Sequence, residues 1–400
     1  MMMPLGPRLH CFFRPARAAL LAAAFLAGCG GGVDSGGTGA PMTAFASGAI
    51  SGFGSVIVAG IHFDDRSAAV ADADGSARSR DDLRLGMTVE ARGSAIAKDA
   101  DGNDASTATS IVVRSEMIGP VGASDLAART LTVLGQTIDI SASTVFDEAL
   151  PGGQAALALG DVVEVYASVD VATGHYRATR VERRAGVVAF VLRGIVAGLD
   201  TTARTFSIGA TRIAYAGVAA APTLANGSFV RVALAVAPGA GGVWSAIAIG
   251  DRTPALDDRD EAKLEGLVSA FASTAQFSVD GTPVDARAAQ FPDGTAGLAL
   301  GKRVEVEGAT AKGVLVATRV RLVSDSQDSG REFDVRGTIV SLDVAGKTFV
   351  VRNVVVGYSG TVDFRGGTAL DLALGVEVEA RGLLAGGGTR LQATRIDFRR

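Results

Sequence analysis

Four hundred residues, 48% hydrophobic and 20% charged, give the composition of an ordinary folded protein rather than a disordered or collagen-like chain. The formal net charge is −4 and aromatic residues make up only 6%, which argues against nucleic acid or an anionic membrane surface as the main partner. Two cysteines are too few for a disulfide-built framework.

The chain opens with Arg8, Arg14 and Arg17, followed by an apolar run from Ala18 to Ala27. That run is shorter than the roughly 20 residues a membrane span needs and fits the apolar region of a secretory signal. It ends in Leu26-Ala27-Gly28-Cys29, which resembles the lipobox of bacterial lipoproteins, where a peptidase cuts before a lipid-carrying cysteine. The alternative is an ordinary signal peptide with a chance cysteine. The expectation is a signal peptide over residues 1–28, with Cys29 as the lipidation site. Cys11 would leave with the signal, so no disulfide would form within the mature chain. Residues 29–47 read as the lipidated cysteine and a tether, with Gly30–Pro41 glycine-rich enough to behave as flexible coil. The absence of aspartate after Cys29 resembles lipoproteins sent to the outer membrane of Gram-negative bacteria. Removing the signal leaves 35 basic side chains against 42 acidic ones, a net charge of about −7.

The remainder repeats itself. Gly86, Gly160, Gly227, Gly301 and Gly375 each open a similar hairpin, at spacings of 74, 67, 74 and 74 residues. A fixed period counts units directly and overrides a domain count based on length. The predicted units are residues 48–115, 116–185, 186–250, 263–323 and 332–400. Residues 251–262, charged and containing Pro254, read as one linker, and 324–331 as another.

In each unit, β-branched alternation predicts three strands, a connector with room for one helical turn, and a final hairpin. Unit one begins at Gly48, bends at Gly52-Phe-Gly-Ser55 and carries a long polar loop over Lys98–Thr107. Unit two holds Arg129–Val133 and the hairpin Leu159–Val165 returning through Tyr176–Val181. Unit three has a weakened hairpin at Asn226–Val232, and its only charged side chains between Asp200 and Asp251 are Arg204, Arg212 and Arg231. Units four and five carry the clearest hairpins, Leu300–Val320 and Leu374–Ile396.

Five strands interrupted between the third and fourth match the order of an OB-like small barrel, with an open five-stranded sandwich as the rival. The fold class expected is therefore all-β, five tandem five-stranded OB-like barrels after a lipoprotein signal and tether. The Leu-x-x-Gly-x-x-Val-Glu-Val-x-Gly…Ala-Thr-x-Val pattern resembles a domain-of-unknown-function family that occurs in tandem in bacterial lipoproteins. The resemblance covers nearly all of Gly48–Phe398 and is weakest in unit three. It implies repeated small barrels and carries no catalytic residue with it.

Strand alternation would put Val304 and Val306 inward, with Glu305 and Glu307 on the solvent face. On the returning strand it groups Val316, Thr318 and Val320 on one side and Arg319 on the other, so glutamate and arginine would meet in solvent. The same pairing is expected for Glu164 with Arg180, and for Glu377 or Glu379 with Arg395. Such exposed pairs fix register and contribute ~0–1 kcal/mol each. The acidic loops Asp72-Ala-Asp74-Gly75 and Asp99–Asp104 fail the EF-hand pattern, since a twelfth-position glutamate is replaced by Ser110, and turn chemistry accounts for them. His62 and His175 belong to different units, and neither a nucleophile elbow nor a metal-binding helix motif occurs. Single phenylalanines in the second strands (Phe206, Phe277, Phe349) suit a core better than a base-stacking platform.

These readings point to a non-catalytic binding or scaffold element of the cell envelope. It would need no cofactor or metal, would be held to the membrane through Cys29, and would have an envelope protein or polysaccharide rather than nucleic acid as partner. The alternative is a carbohydrate- or small-ligand-binding accessory protein using the loops of one unit. Trp244, the sole tryptophan, lies in the charge-poor unit three and marks either packing between units or a partner surface.

Overall fold

The computed structural model describes residues 43–219, 221–251, 256–324 and 330–399. The expected signal peptide, Cys29, the glycine tether, Pro254 and most of the second linker lie outside the described residues.

Barrel four shows how one unit is built. Its strands are Arg259–Ser273, Gln276–Val279, Thr282–Asp285, Arg303–Ala311 and Val314–Val323. The first pairs antiparallel with the second, and the second with the third. The third runs parallel to the fifth, the fifth pairs with the fourth, and the fourth returns to the first. The ring closes, which removes both sheet edges and excludes the open sandwich. The same ring forms in the barrels that begin with Thr43–Phe53, Met117–Asp125 and Phe190–Asp200. It recurs in the last barrel, whose first strand is split into Phe333–Thr338 and Ser341–Asp343. This is the OB order of strands. Single 3₁₀ turns occupy the connector in barrels one, two and five, at Arg80–Asp82, Gly153–Ala156 and Ala369–Asp371.

A bulge in the final hairpin explains the Gly…Ala-Thr signature. In barrel four Glu307 faces Arg319 but Gly308 faces Ala317, so Thr318 is the extra residue. A side chain at 308 would sit 2.1 Å from the Val316 carbonyl oxygen, hence glycine. The Thr318 hydroxyl donates to the Glu307 carbonyl at 3.1 Å, and Thr109, Thr179 and Thr394 make the equivalent bond in other barrels. The bulge corrects the simple alternation: Leu315, Ala317 and Val320 are buried, while Val316 and Thr318 face outward.

It also changes the expected ion pairs. Glu305 meets Arg321 at 3.4 Å, two residues beyond the Arg319 of the expectation. Arg180, however, is buried against Glu182 and the Leu85 carbonyl, while Glu164 contacts Arg184 at 3.1 Å. Arg395 pairs with Asp397, and Glu379 with Arg381 and Arg399. Glu90, Glu164 and Glu379 of these hairpins are buried, as is Glu265 on the first strand of barrel four, whereas Glu305, Glu307 and Glu377 stay partly in water as expected.

The barrels do not sit like beads touching only sequence neighbours. Ala44–Ser47 of barrel one pairs in parallel with Glu261–Leu264 of barrel four. Further along the same strand, Gly52 and Phe53 pair with Asp334 and Val335 of barrel five. Barrels two and three join through Ile118 with Val191 and Met117 with Leu192. The cores follow these joints. Phe53 and Phe63 share one apolar cluster with Phe333 and Phe349, and Leu131 and Val165 share another with Leu192 and Phe206. Phe45 of barrel one enters the core of barrel four. A 70-residue unit alone would bury only about 60% of its unfolded surface, and fused cores raise that fraction.

Three boundaries differ from expectation. The first strand starts at Thr43, so residues 43–47 belong to barrel one and not to the tether. Arg259–Ala262, expected in a linker, opens the first strand of barrel four. The long polar loop is shorter than expected, because Ala97–Lys98 pairs with Asp104–Ala105 and leaves a turn over Asp99–Asn103. Trp244 is half-buried, its ring edge-on to Phe190 with centroids 5.8 Å apart.

Candidate functional site: the cleft between barrels one and five

Three features noted separately in the sequence converge on one cleft of about 660 Å³: the bend at Gly52–Ser55, His62, and the acidic turn at Asp99–Asn103. Barrel five supplies Asp334, Arg336 and Glu379. The bend is what lets the two barrels close in. A side chain on Gly52 would lie 2.4 Å from the Asp334 carbonyl oxygen and 2.7 Å from Ile57 Cδ1. Glycine there permits backbone pairing between the barrels, and the cleft opens beside that joint.

The acidic turn is held by its own side chain. Asp99 accepts from the backbone of Asp101 at 3.0 Å and of Asn103 at 2.8 Å, and from the Asn103 amide at 3.2 Å. Burial raises its pKa, but the bonds from Asn103 and Asp101 outweigh that and hold the carboxyl below its ordinary value. Its oxygens are therefore spent on turn formation, as an Asx turn requires.

Around it, the remaining carboxylates are matched with arginines. Asp64 takes Arg66 at 2.6 Å, and hydrogen bonding to that guanidinium lowers its pKa to about 2. Asp65 takes Arg352 at 2.9 Å and Arg80 at 3.6 Å. Asp101 takes Arg399 at 3.3 Å and lies 3.9 Å from Arg336, which also holds Glu377 at 3.0 Å. Arg381 bridges the back wall, with Nε 2.7 Å from Asp334 and Nη2 2.8 Å from Glu379. Burial and the neighbouring Glu379 push Asp334 upward against the pull of Arg381. Glu379 is itself raised by burial but held down overall by Arg399 and Arg381. Burial also lowers the pKa of His62 despite the nearby Asp99 and Glu379, so its imidazole is neutral at pH 7. Among the described residues no group of three or more His, Cys, Asp or Glu is arranged to hold a metal ion.

Chemically, the walls alternate compensated acceptors and donors: carboxylates with lone pairs left over and guanidiniums with N–H groups left over. Sequence reasoning showed the bend, His62 and the acidic turn one by one, each with a structural explanation, and did not join them into a site. It missed Asp334, Arg336 and Arg381, because nothing in a 282-residue separation between Gly52 and Asp334 signals contact. His175, the other histidine, is elsewhere, 3.0 Å from Asp139 in barrel two.

Residues 119–182, 265–321 and 336–397, in barrels two, four and five, match the model of the domain of unknown function DUF5666, consistent with tandem repeats of such a domain. Barrels one and three lie outside the matched segments yet share the ring of strand pairings. No curated protein matches the chain. Among solved structures it is similar to one titled "drosophila Unr CSD456", at 13% identity and a TM-score of 0.14, covering 53% of this chain and 98% of that one.

Proposed function

We propose that this is a lipid-anchored, extracytoplasmic binding protein without catalytic activity, whose cleft between barrels one and five takes a neutral, polyhydroxylated ligand such as a segment of envelope glycan. The observation that carries this reading is the charge-matched cleft wall. An anion would have to compete with Asp64, Asp65 and Asp101 for their arginines, and a cation with the arginines for those carboxylates. A hydroxyl, at once donor and acceptor, bridges such pairs without breaking them. The neutral His62 fits the same preference. This favours a ligand held between two barrels over one held by the loops of a single barrel.

The anchor rests on Leu26–Cys29, and the outer membrane is the favoured address in a Gram-negative cell. Nucleic acid is not the expected partner, given a net charge of −4 and few aromatics. A glycan array probed with the processed protein is expected to give reproducible binding to one sugar class, lost in Asp101→Ala and Arg336→Ala. An array with no reproducible signal removes the glycan reading and returns the protein to a scaffold role. Palmitate labelling sensitive to globomycin tests the anchor, and a Cys29→Ala protein that stays in the membrane fraction would refute it.

A further inference from the structure

A second cavity, of about 310 Å³, lies where barrels one to four meet, and its lining differs in kind from the cleft. Its volume is at the lower end of small-molecule sites. Much of the wall is apolar, with Phe45, Val171, Ile195 and Phe229 among the lining residues. Three glutamates also line it, each with an arginine: Glu90 with Arg114 at 2.7 Å, Glu116 with Arg193 at 3.6 Å, and Glu265 with Arg303 at 3.3 Å.

The fourth carboxyl, Asp280, is held otherwise. It accepts from the Ser168 hydroxyl at 3.1 Å and the Leu267 backbone N–H at 3.3 Å, both neutral donors. Asp280 is exposed at the surface of its turn and also lines the cavity, with surrounding protein partly desolvating its carboxyl. Its position is imposed by the fold. Asp280-Gly281 is the two-residue turn between the second and third strands of barrel four, with φ of 45° and 85°. The turn folds back on the first strand, where a side chain at Gly266 would sit 2.1 Å from Asp280 Oδ2. The corresponding turns carry Ala59, Leu134, Gly209 and Arg352, so only barrel four places a carboxylate there.

We infer that this cavity is a site for a small organic monocation, an alkylammonium whose charged head meets Asp280 and whose apolar body lies on Ile195, Val171 and Phe229. Among the described residues no ion pair closes on Asp280, and a cation of the right size supplies the complementary charge beside its two neutral donors. Burial pushes Asp280 up to about 7 despite its two hydrogen bonds, with Glu116 adding to the rise and Arg303 opposing it. The Asp280 carboxyl is thus partly protonated near neutral pH, and an ammonium ion that binds there displaces that proton.

The test is calorimetric titration of the full chain with n-butylammonium chloride, with n-butanol and sodium butyrate as controls at equal ionic strength. Saturable heat is expected for the ammonium alone, weakened at least tenfold in Asp280→Asn. Asparagine tolerates the positive φ of position 280, so this variant keeps the turn. Affinity is expected to fall as pH drops from 8 to 6, approaching tenfold per unit below about 7, because the proton and the ligand compete for one carboxylate. Ile195→Trp narrows the cavity without touching Asp280 and is expected to abolish binding even if Asp280→Asn proves unstable. Equal affinity in Ile195→Trp or in a folded Asp280→Asn, equal binding of butanol, or no heat at tens of millimolar butylammonium overturns the assignment. None of these outcomes depends on the glycan array.

Discussion

Gly52→Val is the substitution that most directly probes how the barrels are joined. The new Cβ would lie 2.4 Å from the Asp334 carbonyl oxygen and 2.7 Å from Ile57 Cδ1, and the first of these is backbone that cannot swing away. Relief requires the two first strands to part at Gly52–Phe53 and Asp334–Val335. Overpacking of this kind costs about 1–3 kcal/mol. Losing the local backbone pairing adds about 1 kcal/mol for each hydrogen bond broken. A total near 3–5 kcal/mol corresponds to a fall in melting temperature of about 6–15 °C for a domain of a few hundred residues. Gly217→Val is the matched control, since a side chain there meets nothing within 4 Å and φ is not in the left-handed range. Differential scanning calorimetry compares the two, and hydrogen exchange over Phe333–Thr338 locates the damage. If Gly52→Val melts within a degree or two of Gly217→Val, the two barrels are not joined through these strands and the cleft has no rigid back wall.

Other expectations follow from the buried charges and from Trp244. Glu265→Gln removes the carboxylate shared by Arg303 at 3.3 Å and Arg331 at 2.6 Å, and is expected to cost about 3–5 kcal/mol in urea titrations at pH 7. Burial pushes Glu265 up, but Arg331 and Arg303 outweigh it and hold its pKa below the ordinary value. Its stabilisation is therefore complete above the unfolded value of about 4.3 and disappears as pH falls through the lower folded value. The gap between wild type and variant should accordingly shrink on acidification below about pH 4; a gap that widens contradicts the assignment. Trp244→Glu puts a charge against Phe190 and should cost roughly 3–5 kcal/mol by thermal melting. A stable, folded Trp244→Glu protein that loses a pulled-down partner would instead favour a recognition surface. Calcium at millimolar concentration should produce no binding heat, because the Asp99 oxygens are already engaged with Asp101 and Asn103.

How much of this was legible in the sequence depends on the range of the interaction. The order of five strands was readable because its cues are local: alternation, the turn residues and the recurring Val-Glu-Val-x-Gly run; closure into a ring, which depends on pairing the third strand with the fifth, was not. The bulge was only half readable. Gly308 and Thr318 announce themselves by repetition, but nothing in composition says that one residue is extra, so strict alternation put Val316 and Thr318 on the wrong side. The cleft itself was not readable: Gly52, His62 and Asp99 lie within one repeat and stood out singly, while Asp334 lies four repeats away.

The glutamate rows show why the missing part matters. A Val-Glu-Val strand specifies that one face is polar, and exposure in water is the default inference from that polarity. Glu305 and Glu307 follow that default, yet Glu90, Glu164 and Glu379 are buried with Arg114, Arg184 and Arg381 beside them, and so is Glu265 of a first strand with Arg303. A face built of ion pairs can join barrels while each pair remains hydrogen-bonded, and it leaves polar cavities where the match is imperfect. Both sites argued above, the cleft at Asp334 and the cavity at Asp280, are such places. Backbone pairing between first strands joins the barrels, buried ion pairs such as those of Glu90, Glu164 and Glu265 lie beside those joints, and the two proposed sites lie where that assembly leaves gaps.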